Sequence, residues 1–81
     1  MKFLVVGLGS MGKRRVRNLI ALGYREIAGV DPREDRRMEA SNASGIRTFA
    51  MLEQALNEFS PDALVVSTPP DMHMDVAFFA L

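Results

Sequence analysis

The 81-residue sequence has no cysteine, no tryptophan, one histidine and one tyrosine, and each scarcity removes a class of explanation. Without cysteine there is neither a disulfide framework nor a thiolate metal site, and cysteine usage marks no redox compartment. The lone His73 rules out a histidine metal cluster. No apolar run approaches the ~20 residues of a membrane span, and the amino terminus enters a strand-like segment in place of a signal peptide. A soluble, cytoplasmic protein is therefore expected. The formal net charge is zero, so the basic excess typical of nucleic-acid and membrane-surface binders is missing. That balance conceals a division. Residues 1–37 carry nine Lys/Arg against four acids, whereas residues 38–81 carry one against six. The cationic half is the one suited to an anion. A chain of this length buries only roughly 60–65% of the surface exposed when unfolded, which allows one domain with a thin core.

What is present is a repeating order of elements. Phe3-Leu4-Val5-Val6 is a short, wholly apolar run, the pattern of a strand covered on both faces. Gly7 stops it. From Met11 to Leu22, Val16, Leu19 and Ile20 fall at helical spacing behind Gly12, and Gly23 ends the segment. A second apolar run, Ile27 to Val30, ends at Asp31. Pro32 to Ser44 then gives a polar helix with Met38 and Ala43 as a sparse inner face, closed by Gly45. Ile46 to Phe49 is a third strand, Leu52, Ala55, Leu56 and Phe59 mark a third helix, and Ala63 to Val66 is a fourth strand after the turn at Ser60-Pro61-Asp62. Strands alternating with helices imply a parallel sheet with right-handed crossovers. The expected fold is a three-layer α/β Rossmann-like sheet with strand order 3-2-1-4. Beyond it, Asp71 is expected to cap a further helix carrying Met72 and Val76 to Leu81, leaving the outer edge of strand four open.

Gly7, Gly9 and Gly12 spell G-x-G-x-x-G between the first strand and first helix. The first glycine suits the tight turn, the second a close approach by pyrophosphate, and the third helix–strand packing. The amides of Ser10, Met11 and Gly12 then point toward the phosphates from the positive end of a helix. Lys13, Arg14, Arg15 and Arg17 follow, mostly on the solvent side, with one in the first turn within reach of a phosphate. Asp31, at the end of strand two, is placed for the adenosine ribose hydroxyls and against a 2′-phosphate. It is equally a good helix cap, with Pro32 and Glu34 behind it. Arg33 offers a guanidinium to adenine or to a 2′-phosphate. NAD is the expected cofactor, with NADP left open.

In a doubly wound sheet the segment Ser67-Thr68-Pro69-Pro70-Asp71-Met72-His73 follows the strand beside the switch point, and the Thr68 hydroxyl falls near the nicotinamide riboside. With the glycine loop and Asp31, the hexapeptide Thr68 to His73 resembles the T-P-[NP]-x-x-H segment of the Gfo/Idh/MocA oxidoreductases over the whole chain. Arg15 departs from the histidine often found there. The resemblance implies NAD(P)-dependent hydride transfer on sugars, inositols or sugar nucleotides. It implies cofactor contacts at Gly7, Gly9, Ser10, Met11, Gly12, Asp31, Arg33, Thr68, Pro69, Pro70 and His73. It carries over no catalytic residue, because the family's E-K-P lysine has no counterpart: the lysines are Lys2 and Lys13. Residues 1–81 are thus expected to form an incomplete dinucleotide-binding domain, inactive alone, whose parent is a homo-oligomer acting on a sugar-like substrate. A free-standing dinucleotide-binding module without catalysis is the alternative, and a methyltransferase fits the glycine motif and Asp31 less well.

Overall fold

The computed structural model describes residues 1–67 and 76–81. Its elements are β1 (Phe3–Val6), α1 (Ser10–Ala21), β2 (Ile27–Val30), α2 (Glu34–Ser44), β3 (Arg47–Phe49), α3 (Leu52–Phe59), β4 (Ala63–Ser67) and β5 (Val76–Ala80). The sheet runs β3-β2-β1-β4-β5, with the first four strands parallel. The central strand pairs on both sides in register: Phe3 lies opposite Ile27 and Ala63, and Val6 opposite Val30 and Val66. An unbroken apolar run is what a strand with helices on both faces requires.

Within that run the side chains still alternate. Phe3, Val5, Ile27, Ala63 and Val65 meet Leu8, Val16, Ala40 and Ile46 on one face, under α1 and α2. Leu4, Ala28, Val30 and Phe49 meet Ala55 of α3 on the other. The helical stripes are realised only in part. Val16 is buried, whereas Ile20, Leu52 and Leu56 remain exposed. In α2 the inner residue is Ala40, not Met38 and Ala43: Met38 is 56% exposed and Ala43 is also exposed. Two helical positions are about 200° of rotation, so a helix that seats Ala40 on the sheet turns Met38 outward. A small residue there lets an otherwise polar helix approach closely.

The carboxyl-terminal segment corrects a second expectation. Val76–Ala80 is a strand, antiparallel to β4, with Ser67 opposite Val76 and Ala63 opposite Ala80. No helix occupies these residues, and the outer edge of β4 is paired. A short apolar run reads equally well as helix or strand, and here Val76, Phe78 and Phe79 favour the strand. The edge of β4 supplies a ladder for them. The expected start of that helix, from Asp71 to Met72, lies outside the described residues. The Leu81 N–H donates to the Asp62 carbonyl (2.8 Å).

Of the glycine contacts, the closest is between α1 and the end of β1. Gly7 has φ +91°, a conformation that L side chains seldom adopt, and its carbonyl lies against Gly12. A Cβ built on Gly12 would stand 1.7 Å from the Gly7 carbonyl oxygen and 2.7 Å from its carbon. Neither is the movable end of a side chain, so α1 itself must shift. Gly12→Ala should therefore cost about 3 kcal/mol or more, the upper range for overpacking. At the usual scaling for small domains this lowers the melting temperature by roughly 10–25 °C. Thermal circular dichroism checks it, and a variant melting within a few degrees of the parent would show that the helix relaxes at little cost.

Candidate functional site

The loop between β1 and α1 is fixed from below. The Gly7 N–H donates to the Val30 carbonyl (2.8 Å), tying the turn to the end of β2. Leu8 then turns into the core, fully buried, and lies across Gly29: a Cβ at Gly29 would sit 2.6 Å from Leu8 Cδ2. Its N–H donates to Asp31 Oδ2 (2.9 Å). Gly9 is the N-cap of α1, with φ −69° and ψ −168°, and no side chain caps the helix. The first helical hydrogen bond runs from the Lys13 N–H to the Gly9 carbonyl (2.9 Å). Ser10, Met11 and Gly12 thus open a helix whose leading amides have no side-chain acceptor, the arrangement that attracts an anion.

The three glycines are required for different reasons. Gly7 is conformational and Gly12 is steric, as described for the fold. Gly9 is neither. Its φ is ordinary for any L-residue, and a Cβ there would meet nothing closer than the Arg36 guanidinium carbon at 3.6 Å. The fold accounts for two of the glycines and leaves the middle one unexplained from within.

Asp31 is 3% exposed, the one buried charged residue among those described. Its two oxygens are divided between backbone donors: Oδ2 takes the Leu8 N–H and Oδ1 the Arg33 N–H, each at 2.9 Å. Arg36 Nη1 stands 3.6 Å from Oδ2. Burial pushes the carboxyl's pKa up, but the two amides and the Arg36 charge outweigh it, and the net position is below the ordinary value. As a cap Asp31 behaves differently from the sequence reading. The helix begins at Glu34 with Arg33 as its N-cap and no side-chain cap; Asp31 holds the Arg33 N–H just ahead of the helix with one oxygen and the glycine loop with the other.

The cations sort by what holds them. Lys13 pairs with Glu39 across α1 and α2. Arg33 Nε and Nη2 donate to the two Asp35 oxygens (3.1 and 2.7 Å) at the surface. Arg37 Nη1 donates to the carbonyls of Asp31 and Pro32 (2.8 and 2.9 Å). Arg36 is the one whose guanidinium overlies Gly9. Gly7, Gly9, Ser10, Met11, Gly12 and Asp31 are therefore brought together, while the Arg33 side chain is engaged by Asp35. Thr68, Pro69, Pro70 and His73 lie outside the described residues.

Arg36, Leu8 and Gly29 were missed by the sequence reading. Arg36 lies four residues before buried Ala40, hence on the same helix face one turn nearer the loop, but nothing in the sequence marks Ala40 as the inner position, so the spacing alone carried no signal. A cleft of about 630 Å³ opens at the opposite end of the sheet, lined among others by Tyr24, Arg25, Gly45, Arg47 and Phe59. It shares no residue with the glycine loop. Among the described residues, no helix is long and apolar enough to cross a membrane, and no group of three His, Asp or Glu could hold a metal ion.

A parallel 3-2-1-4 core, a glycine turn into an uncapped helix and an acid ending the second strand define an NAD-binding Rossmann domain of the dehydrogenase kind. Residues 1–81 match the GFO/IDH/MocA oxidoreductase family, NAD-binding Rossmann fold, and the chain belongs to that family. Among solved structures, it is similar to prephenate dehydrogenase of A. aeolicus in complex with hydroxyphenyl propionate and NAD+, at 28% identity over 85% of this chain and 25% of that one, TM-score 0.74. The WlbA dehydrogenase of Chromobacterium violaceum, with NADH and UDP-GlcNAcA, shares the fold at 21% identity over 90% of this chain and 22% of that one, TM-score 0.73. So does scyllo-inositol dehydrogenase of Lactobacillus casei, with NAD(H) and scyllo-inositol, at 22% identity over 90% of this chain and 22% of that one, TM-score 0.67. The chain thus spans about a quarter of the length of these enzymes. No curated protein sequence matches it.

The Asp31 geometry fixes a pH dependence. A carboxyl whose folded pKa is lowered contributes stability that is present above its unfolded pKa of about 3.9 and is lost as pH falls through the folded value. Asp31→Asn keeps the shape but offers only one acceptor to two amides. At pH 7 it should be less stable by ~1–3 kcal/mol. The gap between parent and variant should hold constant above about pH 5 and close as pH drops below about 4. Melting temperatures of both proteins from pH 2 to 7 read this directly, and a pH-independent gap would remove the carboxylate charge from the account.

Proposed function

We propose that this chain is the cofactor-binding part of an oxidoreductase that moves a hydride between a nicotinamide dinucleotide and a carbinol or carbonyl carbon of a sugar, inositol or sugar nucleotide. The observation that carries the reading is Gly9. Neither backbone conformation nor packing asks for a bare residue there. A ligand that must approach the backbone supplies the missing reason. The uncapped start of α1 beside it favours a negative group, as the pyrophosphate would be.

In this reading the amides of Ser10, Met11 and Gly12 bind the pyrophosphate. The Asp31 oxygens, each with a lone pair beyond its amide bond, receive the adenosine ribose hydroxyls. The cofactor contacts that the family resemblance implies for Thr68, Pro69, Pro70 and His73 belong to the same reading. The nicotinamide carries the hydride, and the protein's contribution is to orient it. No proton-transfer residue is assigned within the chain. Lys2 lies at the far end of β1, its amine near the Phe59 carbonyl (3.4 Å), and Lys13 is engaged by Glu39. The sugar-like substrate class is supported by family membership together with the compounds in two of the similar structures, UDP-GlcNAcA and scyllo-inositol. The prephenate dehydrogenase structure likewise holds NAD+.

Gly9→Val tests the carrying observation. A Cβ there makes only ordinary contact with the movable end of Arg36, so the variant should keep its circular dichroism and melt within a few degrees of the parent, in contrast to Gly12→Ala. Its affinity for NADH, followed by nicotinamide fluorescence, should fall at least a hundredfold. Full NADH affinity in a folded variant would refute the assignment of this loop to the pyrophosphate.

A further inference from the structure

Asp31 stands where an acid ordinarily selects NAD by repelling a phosphate on the adenosine 2′-hydroxyl. Its setting in this chain weakens that repulsion. The carboxylate is 3% exposed, both oxygens already accept backbone N–H groups, and a guanidinium lies 3.6 Å from one of them. Its charge is therefore compensated from three sides before any ligand arrives. The guanidinium belongs to Arg36, in the first turn of α2, and the same group overlies Gly9, with its carbon 3.6 Å and its two terminal nitrogens 3.7 and 3.9 Å from a Cβ built there. Arg36 thus spans the acid that marks the ribose and the glycine that marks the pyrophosphate.

How each neighbouring arginine is held decides which of them is available. Arg33 is fixed by two hydrogen bonds to Asp35, and Arg37 by two backbone carbonyls. Among the described residues, Arg36 makes only the longer 3.6 Å ion pair, with its side chain 42% exposed. A planar guanidinium held by charge alone can turn from a carboxylate to a phosphate, whose geometry it matches with paired donors.

We propose that Arg36 is a specificity-determining residue that gives this site affinity for dinucleotides phosphorylated on the adenosine 2′-hydroxyl, so that it accepts NADP(H) as well as NAD(H) in spite of Asp31. The proposal rests on the reading of the glycine loop as a dinucleotide site. Arg33, nearer to Asp31 in sequence, does not serve this purpose.

The test is direct binding to the purified protein, by fluorescence titration with NADH and NADPH in parallel, for the parent, Arg36→Gln, Arg36→Lys and Arg33→Gln. The parent should bind both within tenfold of each other. Arg36→Gln should lower the ratio of NADPH to NADH affinity at least tenfold, Arg36→Lys should restore part of it, and Arg33→Gln should leave it within threefold. Raising salt should weaken NADPH more than NADH in the parent, and the difference should vanish in Arg36→Gln. Circular dichroism confirms that each variant is folded. An unchanged ratio in Arg36→Gln overturns the proposal, as does a parent that binds NADH but discriminates against NADPH by a hundredfold or more; both leave the dinucleotide site standing. Failure of the parent to bind either nucleotide removes the underlying reading as well.

Discussion

The contact between Gly12 and the Gly7 carbonyl is the constraint on which the rest of the structure depends. It brings the axis of α1 against the end of β1 more closely than any residue with a Cβ permits. The amino terminus of the helix is thereby set over the carboxyl edge of the central strand, where its leading amides face outward. Between the two glycines, Leu8 takes its seat on Gly29 and its amide bonds to Asp31. Packing, loop geometry and anion site follow from one close approach.

Asp31 joins the second half of the site to the first. A buried carboxylate is stabilising only where donors replace its water. The donors here come from the glycine loop on one side and from the start of the α2 segment on the other. The same residue that stands at the ribose position is thus a clamp between two loops. Structural and binding roles are not alternatives for it: the inward hydrogen bonds hold the carboxylate in one place, and that fixed place is what gives it a defined relation to Gly9.

Much of this was legible in the sequence, for reasons that can be stated residue by residue. Phe3 to Val6 has no polar position and could only be a doubly covered strand. Gly7, Gly9 and Gly12 fell between strand and helix, and Asp31 closed the next strand, so fold and cofactor class came from the same residues. What the sequence concealed was of two kinds. Val76 to Ala80 is too short and too apolar for periodicity to separate helix from strand, and the decision lay with the edge of β4. The roles of Ala40 and Arg36 depended on which way a nearly all-polar helix turns, and its larger apolar residue, Met38, pointed to the wrong face. The Arg33 side chain, prominent for its position beside Asp31, is engaged by Asp35.

The pairing of Lys13 with Glu39 has a consequence for how a ligand meets this surface. It links α1, whose leading amides have no side-chain cap, to α2, which carries Arg36, while Asp31 links the loops that precede the same two helices. The two helices are thus linked at both levels, by a surface ion pair and by a buried carboxylate, so the distance between the start of α1 and Asp31 is largely set by the folded chain. The loop works as a ruler of fixed length. If the loop takes a dinucleotide as proposed, the ligand meets a surface whose ordering entropy was lost when the protein folded, and association need not supply it again.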